Sequence, residues 1–143
     1  MAELSDRRRG FEIANVTTAA AVNTATTAFE LPIIPNCVQF IIDVTAAATD
    51  VGDTLNITIE TQIGAKWHPV YQATEFLGNG GAKIESSDKI LPLANGGHDA
   101  SFAGTLAANA SLDVIGTAWR VAYVVVDADS NSAFTFTVTA VVM

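Results

Sequence analysis

The chain has little of what most enzymes need. Its 143 residues include one cysteine, Cys37, and two histidines, His68 and His98. A lone cysteine forms no internal disulfide, so the fold is not a disulfide scaffold and can form in a reducing cytoplasm. Cys37 lies beside Val38 and Phe40 in an apolar stretch, where a free cysteine acts as a small hydrophobe. There is no P-loop, GxSxG, HExxH or CxxC pattern. The longest strongly apolar run, 121–126, is far short of the ~20 residues of a membrane helix. Residues 11–22 are broken by Glu12, Asn15, Thr17 and Thr18, which is no apolar core for a secretion signal. Neither a membrane span nor a signal peptide is expected.

Charge is also scarce, and cations most of all. Charged residues make up 15% of the chain against 50% apolar ones, and the formal net charge is −8. The N-terminal twelve positions are balanced, with Arg7, Arg8 and Arg9 against Glu3, Asp6 and Glu12. Beyond them Lys66, Lys83, Lys89 and Arg120 face twelve acidic residues. Such a body repels nucleic acid phosphates, so no nucleic acid partner is expected. A surface with few charges and much Ala, Thr and Val points to apolar area covered by other subunits.

What is present is β-pattern. In residues 133–143, Phe134, Phe136, Val138, Ala140 and Val142 fall on one face, and Thr135, Thr137 and Thr139 on the other. That period of two marks a half-buried strand. Residues 118–126, AWRVAYVVV, precede it across the polar stretch 127–132, so the pair reads as a β-hairpin. Val38, Phe40, Ile42 and Val44 alternate in 37–44. Leu55, Ile57, Ile59 and Ile63 alternate in 54–63 with Asn56, Thr58, Glu60 and Gln62 on the wet face. The apolar runs of 37–44 and 118–126 predict burial on both faces of those strands. Pro32, Pro35 and Pro69 confine their neighbourhoods to edges or strand ends. Residues 17–27 read as irregular or edge strand. Gly78–Gly81 and Asn95–Gly97 break the middle of the chain, with short strands expected around 84–93, 99–106 and 112–115. No segment makes a convincing amphipathic helix. The expected fold is all-β: an antiparallel β-sandwich, jelly-roll-like, of eight or nine short strands. Residues 1–13 are expected as an N-terminal arm and 14–143 as one domain, with 11–16 read as either a first short strand or an arm that packs on a neighbour.

Candidate chemistry is thin, and each candidate has a plainer reading. His98-Asp99 is a possible ligand pair, but adjacent residues bind one ion poorly, and a polar loop tip explains them. Cys37 with either histidine makes a nucleophile and base on paper, against a strand-buried thiol. His68, between Trp67 and Pro69, reads as strand-edge surface. Asp127, Asp129 and Asn131 copy the opening of a calcium loop. Ser132 then stands where glycine is needed and Val138 where the bidentate Glu belongs, so a turn is the better reading. Trp67, Tyr71, Trp119 and Tyr123 suggest a sugar-binding platform. Trp119 and Tyr123 share a face with Val121 and Val125 that reads as core, which leaves Trp67 as the exposed candidate. Asn15, Asn56 and Asn109 match the glycosylation pattern by chance in a chain rich in Asn and Thr. No catalytic residue, cofactor or metal is expected. Arg7, Arg8, Arg9, Phe11 and Ile13 join charge to two apolar anchors, so the arm is expected to dock on a partner.

Several segments in order carry a resemblance: FIIDVTAA at 40–47, DTLNITIET at 53–61, then Trp67 and Phe76, WRVAY at 119–123, and FTFTVTA at 134–140. The chain resembles small virion proteins of tailed bacteriophages over 37–76 and 117–142. The first third and residues 78–110 do not match that pattern. The resemblance implies a structural protein, first a capsid decoration or cement protein, second a tail or fibre component. It implies a major capsid protein as partner, a homotrimer on the shell, synthesis in the host cytoplasm and residence on the capsid surface. It carries over no catalytic residues.

Overall fold

The computed structural model describes residues 9–32, 37–73, 75–78, 93–94, 116, 118–127 and 133–142. They form ten strands: β1 (Arg9–Thr17), β2 (Val22–Ala25), β3 (Phe29–Glu30), β4 (Cys37–Ala46), β5 (Thr54–Ile63), β6 (Lys66–Gln72), β7 (Phe76–Leu77), β8 (Leu93–Ala94), β9 (Ala118–Val126) and β10 (Thr135–Val142). No helix occurs among the described residues. The protein is all-β, and every strand pair among the described residues is antiparallel. One sheet, A, has the order β1-β10-β4-β8. The other, B, has the order β2-β9-β5-β6, with β3 also paired to β9 and β7 to β5.

The four strands with the clearest alternation are the central ones. On β5, Leu55, Ile57 and Ile59 are fully buried, and on β10 so are Phe136, Val138, Ala140 and Val142. On β4 the buried set is Val38, Phe40, Ile42 and Val44; on β9 it is Trp119, Val121 and Val125. These faces meet in one cluster shared by both sheets. Among the described residues aromatic pairs join the sheets: Phe40 with Trp119 at 5.0 Å, Tyr123 edge-on to Phe136 at 5.4 Å, and Phe11 with Phe29 at 6.1 Å between ring centres. Such pairs add about 0.5–1.5 kcal/mol each beyond the area they bury. β4 and β9 bury one face, not both: Ile41 is 38% exposed and Val126 is 52% exposed on the other. The outward positions of a central strand are flanked by neighbours yet still open to water.

Two bulges shape the core in a way that alternation does not foretell. The β1–β10 register shifts between Glu12 and Ala14, so Ile13 and Ala14 are both buried. The β5–β6 register shifts between Ile59 and Glu60, and Val70 and Tyr71 are both buried. An extra residue on one strand resets which side chains point inward. The first bulge corrects the expected arm. Residues 9–13 belong to β1 and pair with β10, Phe11 packs on the core, and Ile13 is only 5% exposed. Phe11 and Ile13 supply apolar surface to their own core.

The expected hairpin of β9 and β10 is also corrected. β9 pairs with β2, β3 and β5 in sheet B, whereas β10 pairs with β1 and β4 in sheet A. The chain between them passes from one sheet to the other. A hairpin does join β5 to β6, turning at Gly64 with φ 61°. That left-handed conformation is the one glycine adopts without strain. Gly78 meets a different demand, because a Cβ there would stand 1.6 Å from the Asp50 carbonyl oxygen. Its N–H donates to the Asp53 carbonyl at 2.9 Å, fastening the end of β7 to the turn before β5.

Candidate functional site: the outer faces of the two sheets

With the inner faces committed to the core, the outward residues are what the described part of the molecule offers to a partner. On sheet B, β5 presents Thr54, Asn56, Thr58, Glu60 and Gln62. Opposite Glu60 stands Arg120 of β9, and opposite Gln62 stands Trp67 of β6. Arg120 donates from Nε to Glu60 Oε2 at 2.5 Å. Its guanidinium carbon lies 4.5 Å from the centre of the Trp67 ring. The Arg120 and Glu60 side chains remain 30% and 17% exposed. Elsewhere on this face the Thr58 hydroxyl donates to Gln72 Oε1, and Asn56 Nδ2 donates to Glu75 Oε2 at 3.0 Å.

Sheet A is plainer. Its outward rows are Gly10, Val141 and Gln39; Glu12, Thr139 and Ile41; Asn15, Thr137 and Asp43; and Thr17 with Thr135. Glu12 and Asp43 are its only charges among these positions, and both are acidic. Apart from Arg9, β1, β4 and β10 contain no basic residue. Thr17 and Thr135 share a hydroxyl–hydroxyl hydrogen bond of 3.2 Å, and Asn15 Nδ2 donates to Glu12 Oε1 at 3.3 Å.

An open hollow of about 320 Å³ lies between residues 17–22 and Tyr123. Its walls are mainly alanine and threonine. The Thr18 hydroxyl there accepts from the Phe134 N–H at 3.0 Å, tying the end of β1 to the start of β10. Nothing in this hollow combines a nucleophile with a base.

The sequence candidates fall in different places. Trp119 is fully buried and Tyr71 is 2% exposed, so both belong to the core. Tyr123 is half-buried against Phe136, and Trp67 is on the outer face of sheet B. The four aromatics therefore do not form one platform. His68 sits opposite the buried Thr61, on edge strand β6. The backbone of Cys37 pairs with Ala94, and that of Arg9 with Val142. Arg7, Arg8, His98, Asp99, Asp129, Asn131 and the strands expected near 84–90, 99–106 and 112–115 lie outside the described residues. Among the described residues no three of His, Cys, Asp and Glu gather as metal ligands, and no helix is long and apolar enough to cross a membrane. Sequence reading missed the Arg120–Glu60 pair. They are sixty residues apart, and only the β5–β9 register makes them neighbours. No family model matches this chain, and neither does any curated protein or solved structure.

Proposed function

We propose that this chain is a non-catalytic assembly protein: a jelly-roll β-sandwich that forms a homotrimer and decorates the head of a tailed bacteriophage by binding its major capsid protein. The observation that carries the assembly role is the outer face of sheet A. A β-surface with two charges among its outward positions, both acidic, and lined by Thr135, Thr137, Thr139, Val141 and Ile41 costs little to dehydrate when another protein covers it. The phage head comes from the resemblance over 37–76 and 117–142, and so do the trimer and the capsid partner. Tail or fibre attachment is the second location that the resemblance implies.

Support for the jelly roll lies in the strand order. β2 and β3 follow each other along one edge of β9, and β6 and β7 along one edge of β5, so each pair acts as a single lane. Counted this way there are eight lanes, ordered 1-8-3-6 in sheet A and 2-7-4-5 in sheet B. Lane 1 pairs with 8, 2 with 7, 3 with 6 and 4 with 5. That is a long two-stranded ribbon, folded at its middle and wound over itself, as in viral capsid and lectin domains. The winding alone selects no function.

The test is microscopy of particles carrying the protein, with the purified chain sized by light scattering. Copies spread over the shell support decoration. A few copies at one vertex move the protein to the tail, and absence from particles ends the virion reading. The double change Thr137→Lys and Thr139→Lys is expected to leave a folded chain that neither self-associates nor binds shells. Unchanged binding would remove sheet A as the contact.

A further inference from the structure

We propose that the outer face of sheet B holds a binding site for a neutral sugar ring of a glycan, built on Trp67, Arg120 and Glu60. The inference rests on the geometry of this face and is independent of the phage reading.

The register brings the three residues together. Gln62 pairs with Trp67, and the next outward position of β5, Glu60, pairs with Arg120. Arg120 is then held from two sides, by the Trp67 ring at 4.5 Å and by the Glu60 carboxylate at 2.5 Å. A free arginine loses rotamer freedom when a ligand immobilises it. Here the fold has already ordered it, so a ligand meets a preset fork. Among the described residues the Arg120 side chain makes no hydrogen bond beyond the one from Nε. Its two terminal nitrogens and the second Glu60 oxygen remain as donors and acceptors in one patch, with the Gln62 amide in the adjoining row.

Charge narrows the ligand. Glu60 neutralises Arg120, and the chain carries a formal net charge of −8. A polyanion approaching this acidic body is repelled, which disfavours nucleic acid and acidic polysaccharide. What the patch suits is an uncharged molecule with an apolar C–H face for the part of the half-buried indole that Arg120 leaves uncovered, and neighbouring hydroxyls for the guanidinium and carboxylate. A pyranose ring has both.

The same three residues would also stiffen the sheet with no ligand at all, so the test separates the two roles. The chain has two tryptophans, and Trp119 is fully buried, which leaves Trp67 as the one that solute can reach. The full chain is titrated with the methyl glycosides of glucose, galactose, mannose and N-acetylglucosamine while tryptophan emission and acrylamide quenching are followed. One of them is expected to give a saturable change and to shield Trp67 from acrylamide. Calorimetry on Trp67→Ala and Arg120→Lys should show binding weakened by at least about tenfold with circular dichroism unchanged. Arg120→Lys is informative because it keeps the charge and loses the fork. Gln62→Ala is the milder variant if Trp67→Ala does not fold. If no glycoside gives a saturable response, or the variants bind as the parent does, the site is overturned and the cluster is structural. Tighter binding of a methyl glucuronide than of methyl glucoside would overturn the neutral ligand.

Discussion

Sheets A and B bury the same kind of surface and expose different ones. Inward, both carry Val, Ile and aromatic side chains that meet in one cluster. Outward, sheet A is a threonine-lined surface whose few charges are acidic, with one nine-residue edge strand, β1. Sheet B carries the Arg120–Glu60–Trp67 cluster, and each of its edges is divided into two pieces. Divided edges offer a poor template for unwanted strand pairing, whereas a long edge relies on its bulge. Since the inner faces are alike, whatever distinguishes the two sheets in function is written on the outer ones.

The largest losses are expected at the core that the two sheets share. Phe40 of sheet A and Trp119 of sheet B are fully buried and in contact. Phe40→Ala and Trp119→Ala should each cost about 3–5 kcal/mol in denaturant unfolding, and the double variant should cost less than their sum. Costs that differ several-fold or add fully would mean that the sheets do not share a core. Trp119→Phe is expected to be far milder, since the indole N–H it removes is buried with no partner among the described residues.

Next in size is the fastening between β7 and the turn before β5. Gly78→Ala forces a methyl group against the Asp50 carbonyl and should cost about 1–3 kcal/mol, read as a lower denaturation midpoint. A neutral result would show that the turn yields freely. Thr61→Val follows. The Thr61 hydroxyl is buried, donates to the Ala118 carbonyl at 3.1 Å and accepts from the Gly116 N–H at 2.9 Å. Removing it leaves those groups unpaired and should cost about 1–2 kcal/mol at nearly constant volume.

The outer faces should matter least to stability. Arg120→Ala is expected to cost no more than about 1 kcal/mol, because the pair it breaks is partly solvated. A much larger loss would make the cluster a structural clamp. On sheet A, Thr137→Lys with Thr139→Lys should shift stability by about 0.5 kcal/mol or less. Melting that matches the parent, together with lost self-association, would set the two surfaces apart most clearly.

Much of this was legible in the sequence. Strands β4, β5, β9 and β10 follow from alternation of apolar residues, and Pro69 sits in an edge strand, as its missing N–H requires. The bulges at Ile13 and Val70 were not legible, since an inserted residue looks like the end of a pattern. The candidate site was legible only in part: Trp67 stood out as the tryptophan nearer the surface, and it is half-buried on the outer face, but its neighbours did not stand out.

By itself the sequence determined which side of β5 and β10 is dry, because a period of two needs nothing beyond the chain's own order; the near-continuous apolar runs of β4 and β9 left their open face to be set by folding. It also determined how poor the surface is in cations. Partners were decided only by the tertiary structure. The alternation in β9 and β10 is compatible with a hairpin, yet the two strands lie in different sheets, since a half-buried strand can bury its apolar face against any surface of matching shape. For the same reason Arg120 met Glu60 and Trp67 only once β9 had settled between β2 and β5 in a definite register. Periodicity is a local property of the backbone. Pairing is a competition among all the strands for one core, and that is settled only by folding.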